Sequence, residues 1–294
     1  MTSRHDDLPR PLITAEALRE RLARGAPTRV FDCSFELTDP AAGRAQYRQG
    51  HIPGARYVHL DDDLSAGRGV PAASGGRHPL PTREVVAERL RRWGLHRDEP
   101  VVVYDRQGGM VGGRLWWMLR WCGHAPVAVL DGGWAAWLAA GGAVAVGDEP
   151  DPVAPGDFAL ADPLVMLRTV TEVAQQLGRP HQTLVDARAP ARYRGEAEPL
   201  DPVAGHIPGA LNRPWTDNFG PDGRYKPAAQ LRAEWSALLA GRDPATVVAY
   251  CGSGVSAIPN ILAMRIAGLP EPALFAGSWS EWCTTPGLPC ARAV

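Results

Sequence analysis

Cysteine is scarce in this chain, and what there is does not fall into pairs. Cys33, Cys122, Cys251, Cys283 and Cys290 are five among 294 residues, an odd number with no C-x-x-C spacing. That argues against a disulfide framework and a structural zinc site, and fits free thiols in a reducing compartment. Long apolar runs are missing as well, since none approaches the roughly 18 residues of a transmembrane helix. Met1 to Arg10 are polar and charged, without the apolar centre of a signal peptide, so a cytoplasmic address is expected. Nor is either sign of charge in excess. With 31 basic and 32 acidic residues in no long blocks, the net charge of -1 gives no electrostatic case for nucleic acid or an anionic membrane as partner. Small molecules and other proteins are the expected partners.

What the chain does have is a duplication. Gly50-His51-Ile52-Pro53-Gly54-Ala55 recurs without change as Gly205-His206-Ile207-Pro208-Gly209-Ala210, an offset of 155. Val102-Val103-Tyr104-Asp105 then matches Val248-Ala249-Tyr250-Cys251 at 146, and Asp131-Gly132-Gly133-Trp134 matches Ala276-Gly277-Ser278-Trp279 at 145. Two copies of one domain account for this. The falling offset puts about nine extra residues in the first copy, in the Gly-rich stretch from Leu64 to His78, read as a loop insertion. Pro150, Pro152 and Pro155, set among acidic and small residues, mark a semi-rigid linker. The expected division is a first domain over 1–147, a linker over 148–163 and a second domain over 164–294.

Short apolar runs alternate with helical patterns in both copies: Arg29–Asp32, Val101–Tyr104 and Ala128–Leu130 in the first, Thr183–Asp186, Thr246–Tyr250 and Ala273–Phe275 in the second. Helical stretches such as Arg83–Trp93 and Gly113–Cys122 separate them. The class is α/β, with each domain a parallel sheet flanked by helices. Ligands in such sheets collect beyond the carboxyl ends of the strands.

Cys251 stands at that kind of place. It follows a strand directly and opens the loop Cys251-Gly252-Ser253-Gly254-Val255-Ser256, ahead of an apolar helical stretch from Ile258 to Ile266. Glycines 252 and 254 let the main chain curl until successive N–H groups converge, and the helix behind adds its positive end. Such neighbours favour a thiolate, the competent nucleophile. Pro259 is compatible with the first helical turn, where its missing N–H is not needed. A phosphatase of similar layout would need an arginine six residues after the cysteine, where this chain has Ala257; Arg265 is too far along the helix.

The repeated Gly-His-Ile-Pro-Gly-Ala turn, the segment Tyr250 to Ser256 and the Gly277-Ser278-Trp279 that follows resemble the tandem rhodanese-like sulfurtransferases, and the match covers nearly the whole chain. The resemblance implies two rhodanese-like domains of which only the second is catalytic, because Asp105 holds the cysteine's place in the first. It implies a sulfur carried as a persulfide on Cys251, passed from a small-molecule donor to cyanide or to a thiol acceptor such as a thioredoxin-like protein or a low-molecular-weight thiol. No metal or organic cofactor is called for. The donor is expected to be 3-mercaptopyruvate, since Gly252 and Ser253 stand where thiosulfate-preferring relatives carry basic side chains. Thiosulfate is the alternative, and a sulfur-binding module without turnover is a second one.

In mercaptopyruvate enzymes of this kind a proton passes along a loop serine, a histidine and an aspartate, the last two from the first domain. The matching positions are Ser253, His78 in Arg77-His78-Pro79-Leu80-Pro81, and Asp61, which has Asp62 and Asp63 beside it. Histidine suits the task because it titrates near neutrality. Arg192, in Asp186-Ala187-Arg188-Ala189-Pro190-Ala191-Arg192, corresponds to the arginine facing the catalytic loop and is the candidate for the donor's carboxylate. Gly252, Gly254, Val255 and Ser256 complete the expected donor site. Two departures loosen the match: Leu200 stands where the relatives carry a further arginine after Glu-Pro, and Met110 where they carry a tyrosine. Arg188 and Arg194 are expected in structural ion pairs, His51 and His206 in a fold role, and the tryptophans largely in packing.

Overall fold

The computed structural model describes Leu8, residues 11–150 and residues 154–292. Pro152 of the expected linker and most of the first ten residues lie outside them. The chain forms two compact units. One comprises the chain up to Leu64, Thr82–Leu164 and Asp222–Arg224; the other comprises Ser65–Pro81, Val165–Pro221 and the chain from Tyr225. Residues 65–81, which include most of the Leu64–His78 stretch expected as a loop insertion of the first copy, thus pack within the second unit.

The first unit runs β1 (Leu12–Ile13), α1 (Ala15–Ala23), β2 (Arg29–Asp32), α2 (Ala42–Gln49), β3 (Arg56–Tyr57), α3 (Arg83–Arg92), β4 (Val101–Tyr104), α4 (Met110–Trp121), β5 (Val127–Leu130) and α5 (Gly133–Ala139). The second repeats the scheme with β6 (Leu167–Arg168), α6 (Val170–Gln175), β7 (Thr183–Asp186), α7 (Pro190–Arg194), β8 (Leu211–Asn212), α8 (Ala228–Leu239), β9 (Val247–Tyr250), α9 (Ile258–Ile266), β10 (Ala273–Phe275) and α10 (Ser278–Trp282). The sheets share one topology, β1-β5-β4-β2-β3 and β6-β10-β9-β7-β8, and every strand pair is parallel. Even the central register repeats: Asp32 pairs with Tyr104, and Asp186 with Tyr250.

Burial on both faces explains why the central strands read as unbroken apolar runs. Successive side chains of a strand point to opposite faces. Leu184, Val248 and Tyr250 accordingly pack with Phe275, Trp279 and Trp282 on one face, while Val185 and Val247 pack with Leu231, Trp235 and Met264 on the other. Trp116, Trp117, Trp137, Trp235, Trp279 and Trp282 are fully buried, each contributing a large apolar area to a core.

The repeated His-Ile-Pro-Gly turn has one construction in both units. His51 Nδ1 lies 2.8 Å from the Tyr47 carbonyl and stacks on the Tyr47 ring; His206 Nδ1 lies 2.8 Å from the Tyr193 carbonyl and stacks on Tyr193. The Ile52 and Ile207 N–H groups donate to the hydroxyls of Tyr104 and Tyr250, which ties each turn to the strand before the loop. Both histidines serve the fold. Among the described residues no helix is long and apolar enough to cross a membrane.

Candidate active site

Cys251 lies one residue beyond the carboxyl end of β9, and α9 starts at Ile258 with Pro259 in its first turn. The cysteine is buried, and its Sγ accepts a hydrogen bond from the Gly254 N–H at 3.2 Å. That contact needs the chain to double back within three residues, which Gly254 permits at φ +74. A Cβ there would also fall 2.2 Å from the Ala276 carbonyl oxygen, so the glycine is required twice over. Val255 is buried and its carbonyl accepts the Ile258 N–H, which joins the loop to the helix; Ser256 is half-buried.

The first turn of α10 braces the loop from the other side. Trp279 N–H donates to the Cys251 carbonyl and Ser280 N–H to the Gly252 carbonyl. Cys251 N–H donates to Ser278 Oγ at 3.1 Å, and that hydroxyl donates to the Phe275 carbonyl. Ser278 adopts a left-handed backbone, φ 55, where the first unit has Gly133 at φ 54. A non-glycine residue held there costs about 1 to 3 kcal/mol. The hydroxyl that orients Cys251 is what the serine offers in return. The sequence pointed to Ser278 only as part of the Gly277-Ser278-Trp279 motif and by its mismatch with Gly133 between the copies.

The first unit displays what such a loop is built to hold. Asp105 is fully buried, and its carboxylate accepts four backbone N–H groups, from Gln107 and Gly109 on one oxygen and from Val111 and Gly112 on the other, at 2.7 to 2.9 Å. Burial pushes this carboxyl up, and the four N–H donors pull against it. In that copy the anion cradle is filled by the chain's own side chain.

Residues 65–81 supply the rest of the second unit's site. The segment folds back on itself through the Ala66 N–H to Pro79 carbonyl and Ala73 N–H to Leu80 carbonyl bonds. It is fastened to α10 by the Gly75 N–H on Glu281 Oε1 and the Arg77 N–H on Ser280 Oγ, both 2.9 Å. His78 is thereby buried with Nδ1 2.7 Å from Ser253 Oγ. Asp61, the third residue of the expected relay, belongs to the first unit, where its N–H lies 3.2 Å from His59 Nδ1 and burial raises its carboxyl.

Arg192, in the last turn of the short helix α7, reaches the loop. A Cβ placed on Gly252 would stand 3.5 Å from its Nη1 and 3.7 Å from its Nη2. Its guanidinium is held by Glu198 at 2.6 Å and Asp201 at 3.2 Å. Burial favours neutral Glu198, yet hydrogen bonds and charge from Arg192, with the N–H groups of Leu200 and Asp201, bring its carboxyl below the ordinary value. Arg188 is buried against Asp186 and Glu198, and Arg194 pairs with Glu196 at the surface.

The model of the rhodanese-like domain matches residues 14–140 and again 169–285. The chain belongs to the rhodanese family. A Pseudomonas aeruginosa protein named "Probable 3-mercaptopyruvate sulfurtransferase" is 48% identical over 283 residues, 95% of this chain and 97% of that one. The mouse thiosulfate sulfurtransferase is 32% identical over 286 residues, 95% of this chain and 93% of that one. The crystal structure of SseA from Escherichia coli, titled as a 3-mercaptopyruvate sulfotransferase, superimposes with a TM-score of 0.75 at 30% identity, covering 92% of this chain and 99% of that one.

One feature of this rhodanese site escaped the sequence reading altogether. Arg77 brings a second guanidinium to the loop, its Nη2 3.0 Å from where a Gly252 Cβ would stand and its Nη1 2.6 Å from Asp201. The only hint was its place directly before His78. A cleft of about 400 Å³ lined by Arg168, Glu172, Thr246 and Glu271 sits at the opposite end of the sheet, at Val247 and not Tyr250, and has none of this chemistry.

Proposed function

We propose that the protein is a 3-mercaptopyruvate sulfurtransferase working through a persulfide on Cys251. In the first half-reaction the Cys251 thiolate attacks the donor's sulfur, an S–S bond forms and the donor's C–S bond breaks. The electron pair of that bond leaves on the enolate of pyruvate. The proton of the donor's thiol moves through Ser253 Oγ and His78 Nδ1 and ends on the enolate carbon, so pyruvate departs and the persulfide remains as its anion. In the second half-reaction a thiol, such as a thioredoxin-like protein or a small thiol, attacks the outer sulfur and regenerates Cys251. Asp61 is kept as the relay's third member on family resemblance, and the roles of Gly252, Gly254, Val255 and Ser256 are to present N–H groups and shape to the donor.

The observation that carries the donor assignment is the 2.7 Å approach of His78 Nδ1 to Ser253 Oγ within a loop that has no basic side chain from Cys251 to Ser256. Thiosulfate has no proton to surrender and would leave that pair idle. Side-by-side steady-state rates test the reading: kcat/KM for 3-mercaptopyruvate should exceed that for thiosulfate by at least about tenfold, roughly 1.4 kcal/mol of transition-state preference. The reverse order would establish a thiosulfate sulfurtransferase. Absence of cyanide-labile sulfur with either donor would leave a binding module without turnover.

A further inference from the structure

We propose that Ser280 is a positioning residue for the proton path, a single side chain that sets the distance between Ser253 and His78, and that Gly76 lacks a side chain so that it can. The inference deepens the mercaptopyruvate reading and rests on it.

Ser280, in the first turn of α10, is bonded to both sides of the path. Its N–H donates to the Gly252 carbonyl at 2.9 Å, one residue before Ser253, and its Oγ accepts the Arg77 N–H at 2.9 Å, one residue before His78. Ser253 and His78 are 175 positions apart in the chain, yet Oγ and Nδ1 approach to 2.7 Å. The two segments that carry them meet on this one serine. The hydroxyl is itself held in place, because it donates to the Gly277 carbonyl at 3.2 Å and so turns a lone pair toward Arg77. Ser280 is buried, and Thr284 Oγ1 donates to its carbonyl at 2.7 Å.

The segment 65–81 is shaped to this seat. A Cβ on Gly76 would stand 2.6 Å from Ser280 Oγ and 2.6 Å from the Gly277 carbonyl oxygen, and the backbone there is left-handed, φ +86. A Cβ on Gly75 would stand 2.8 Å from Glu281 Oε1, the atom that accepts the Gly75 N–H. Two consecutive glycines therefore let the main chain lie directly on the helix turn. Fixed backbone points on either side of a proton-transferring pair are what orientation demands, since a misplacement of about 1 Å can cost about 100-fold in rate. Removing the Ser280 hydroxyl leaves the Gly75 bond to Glu281 and the segment's own Ala66–Pro79 and Ala73–Leu80 bonds, so His78 should shift without the segment coming away.

The test measures kcat with both donors for Ser280→Ala and Gly76→Ala, each alone and combined with His78→Ala. Ser280→Ala removes the acceptor, whereas Gly76→Ala wedges the segment away from an intact Ser280, so two unrelated chemical changes probe one geometry. Each should lower kcat for 3-mercaptopyruvate about tenfold and change kcat for thiosulfate about threefold or less, the retained thiosulfate turnover also showing that the variants are folded. In the His78→Ala background neither should lower mercaptopyruvate turnover further by more than about twofold, because no proton path is left to position. Unchanged mercaptopyruvate turnover in both variants would overturn the proposal. So would equal losses with the two donors, which would make Ser280 a general support of the loop, or a full loss persisting beside His78→Ala. A His78→Ala enzyme with wild-type mercaptopyruvate turnover would refute the proton path itself, a result distinct from all of these.

Discussion

A single proton separates the two donors this site could accept. 3-Mercaptopyruvate must lose one from its thiol and thiosulfate has none, so a residue that only moves that proton should matter for one donor alone. His78→Ala is expected to lower mercaptopyruvate turnover by about 100-fold, within the range of general acid–base catalysis, and to change thiosulfate turnover by about threefold or less. Equal losses with both donors would remove His78 from the relay. At this scale the sequence itself pointed to Cys251, by its place at a strand end, whereas Ser253 and Arg192 were expected through family resemblance. His78 was likewise expected through resemblance, and Arg77 not at all. The reason is physical, since residues 65–81 fold back on themselves and dock on α10 through backbone N–H groups, and such bonds leave no mark in residue type.

At the scale of elements, the loop between β9 and α9 depends on the first turn of α10. Ser278 tolerates a left-handed backbone to give Cys251 N–H a partner. Ser278→Ala keeps the strain and loses the bond, whereas Ser278→Gly loses the bond and relieves the strain. Urea denaturation should therefore find the alanine variant less stable than the glycine variant by about 1 kcal/mol. Equal midpoints would show that the position is unstrained. Helix α8 supplies a pH-dependent contact. Burial would raise Glu234, but hydrogen bonds from Arg213, Lys226 and Gln230, with the charge of Arg213, bring its carboxyl down to about 2. A depressed carboxyl stabilises the fold above its unfolded value, near 4.5, and that stability is lost as pH falls toward 2. Glu234→Gln should cost about 1 kcal/mol at pH 7, with the gap to wild type closing below pH 4.5; a gap constant with pH would argue against the charge. The long strands were readable from their β-branched runs, but β1, β3, β6 and β8 were not, because a two-residue strand carries no alternation and exists only through its neighbour.

For the molecule as a whole, duplication has produced one loop filled by a carboxylate and one that carries a cysteine. Asp105 satisfies four buried N–H groups with its own carboxylate, and Cys251 places a sulfur at the corresponding position of the second copy. Asp105→Asn would set an amide N–H₂ against backbone donors, so chemical denaturation should register a loss of about 2 kcal/mol or more; full stability would mean the cradle does not require an anion. The duplication was visible in three repeated motifs and the α/β class in the alternation of apolar runs with helical stretches, while the Asp-for-Cys difference, set against the family pattern, made the second copy the expected catalytic one. The central claim is that sulfur is carried on Cys251, and intact-protein mass spectrometry after one equivalent of 3-mercaptopyruvate tests it most directly. The account predicts a gain of one sulfur atom, mapped to the peptide containing Cys251, removed by cyanide and absent from Cys251→Ser. No gain, or a gain on Cys283 or Cys290 that persists in Cys251→Ser, would contradict it.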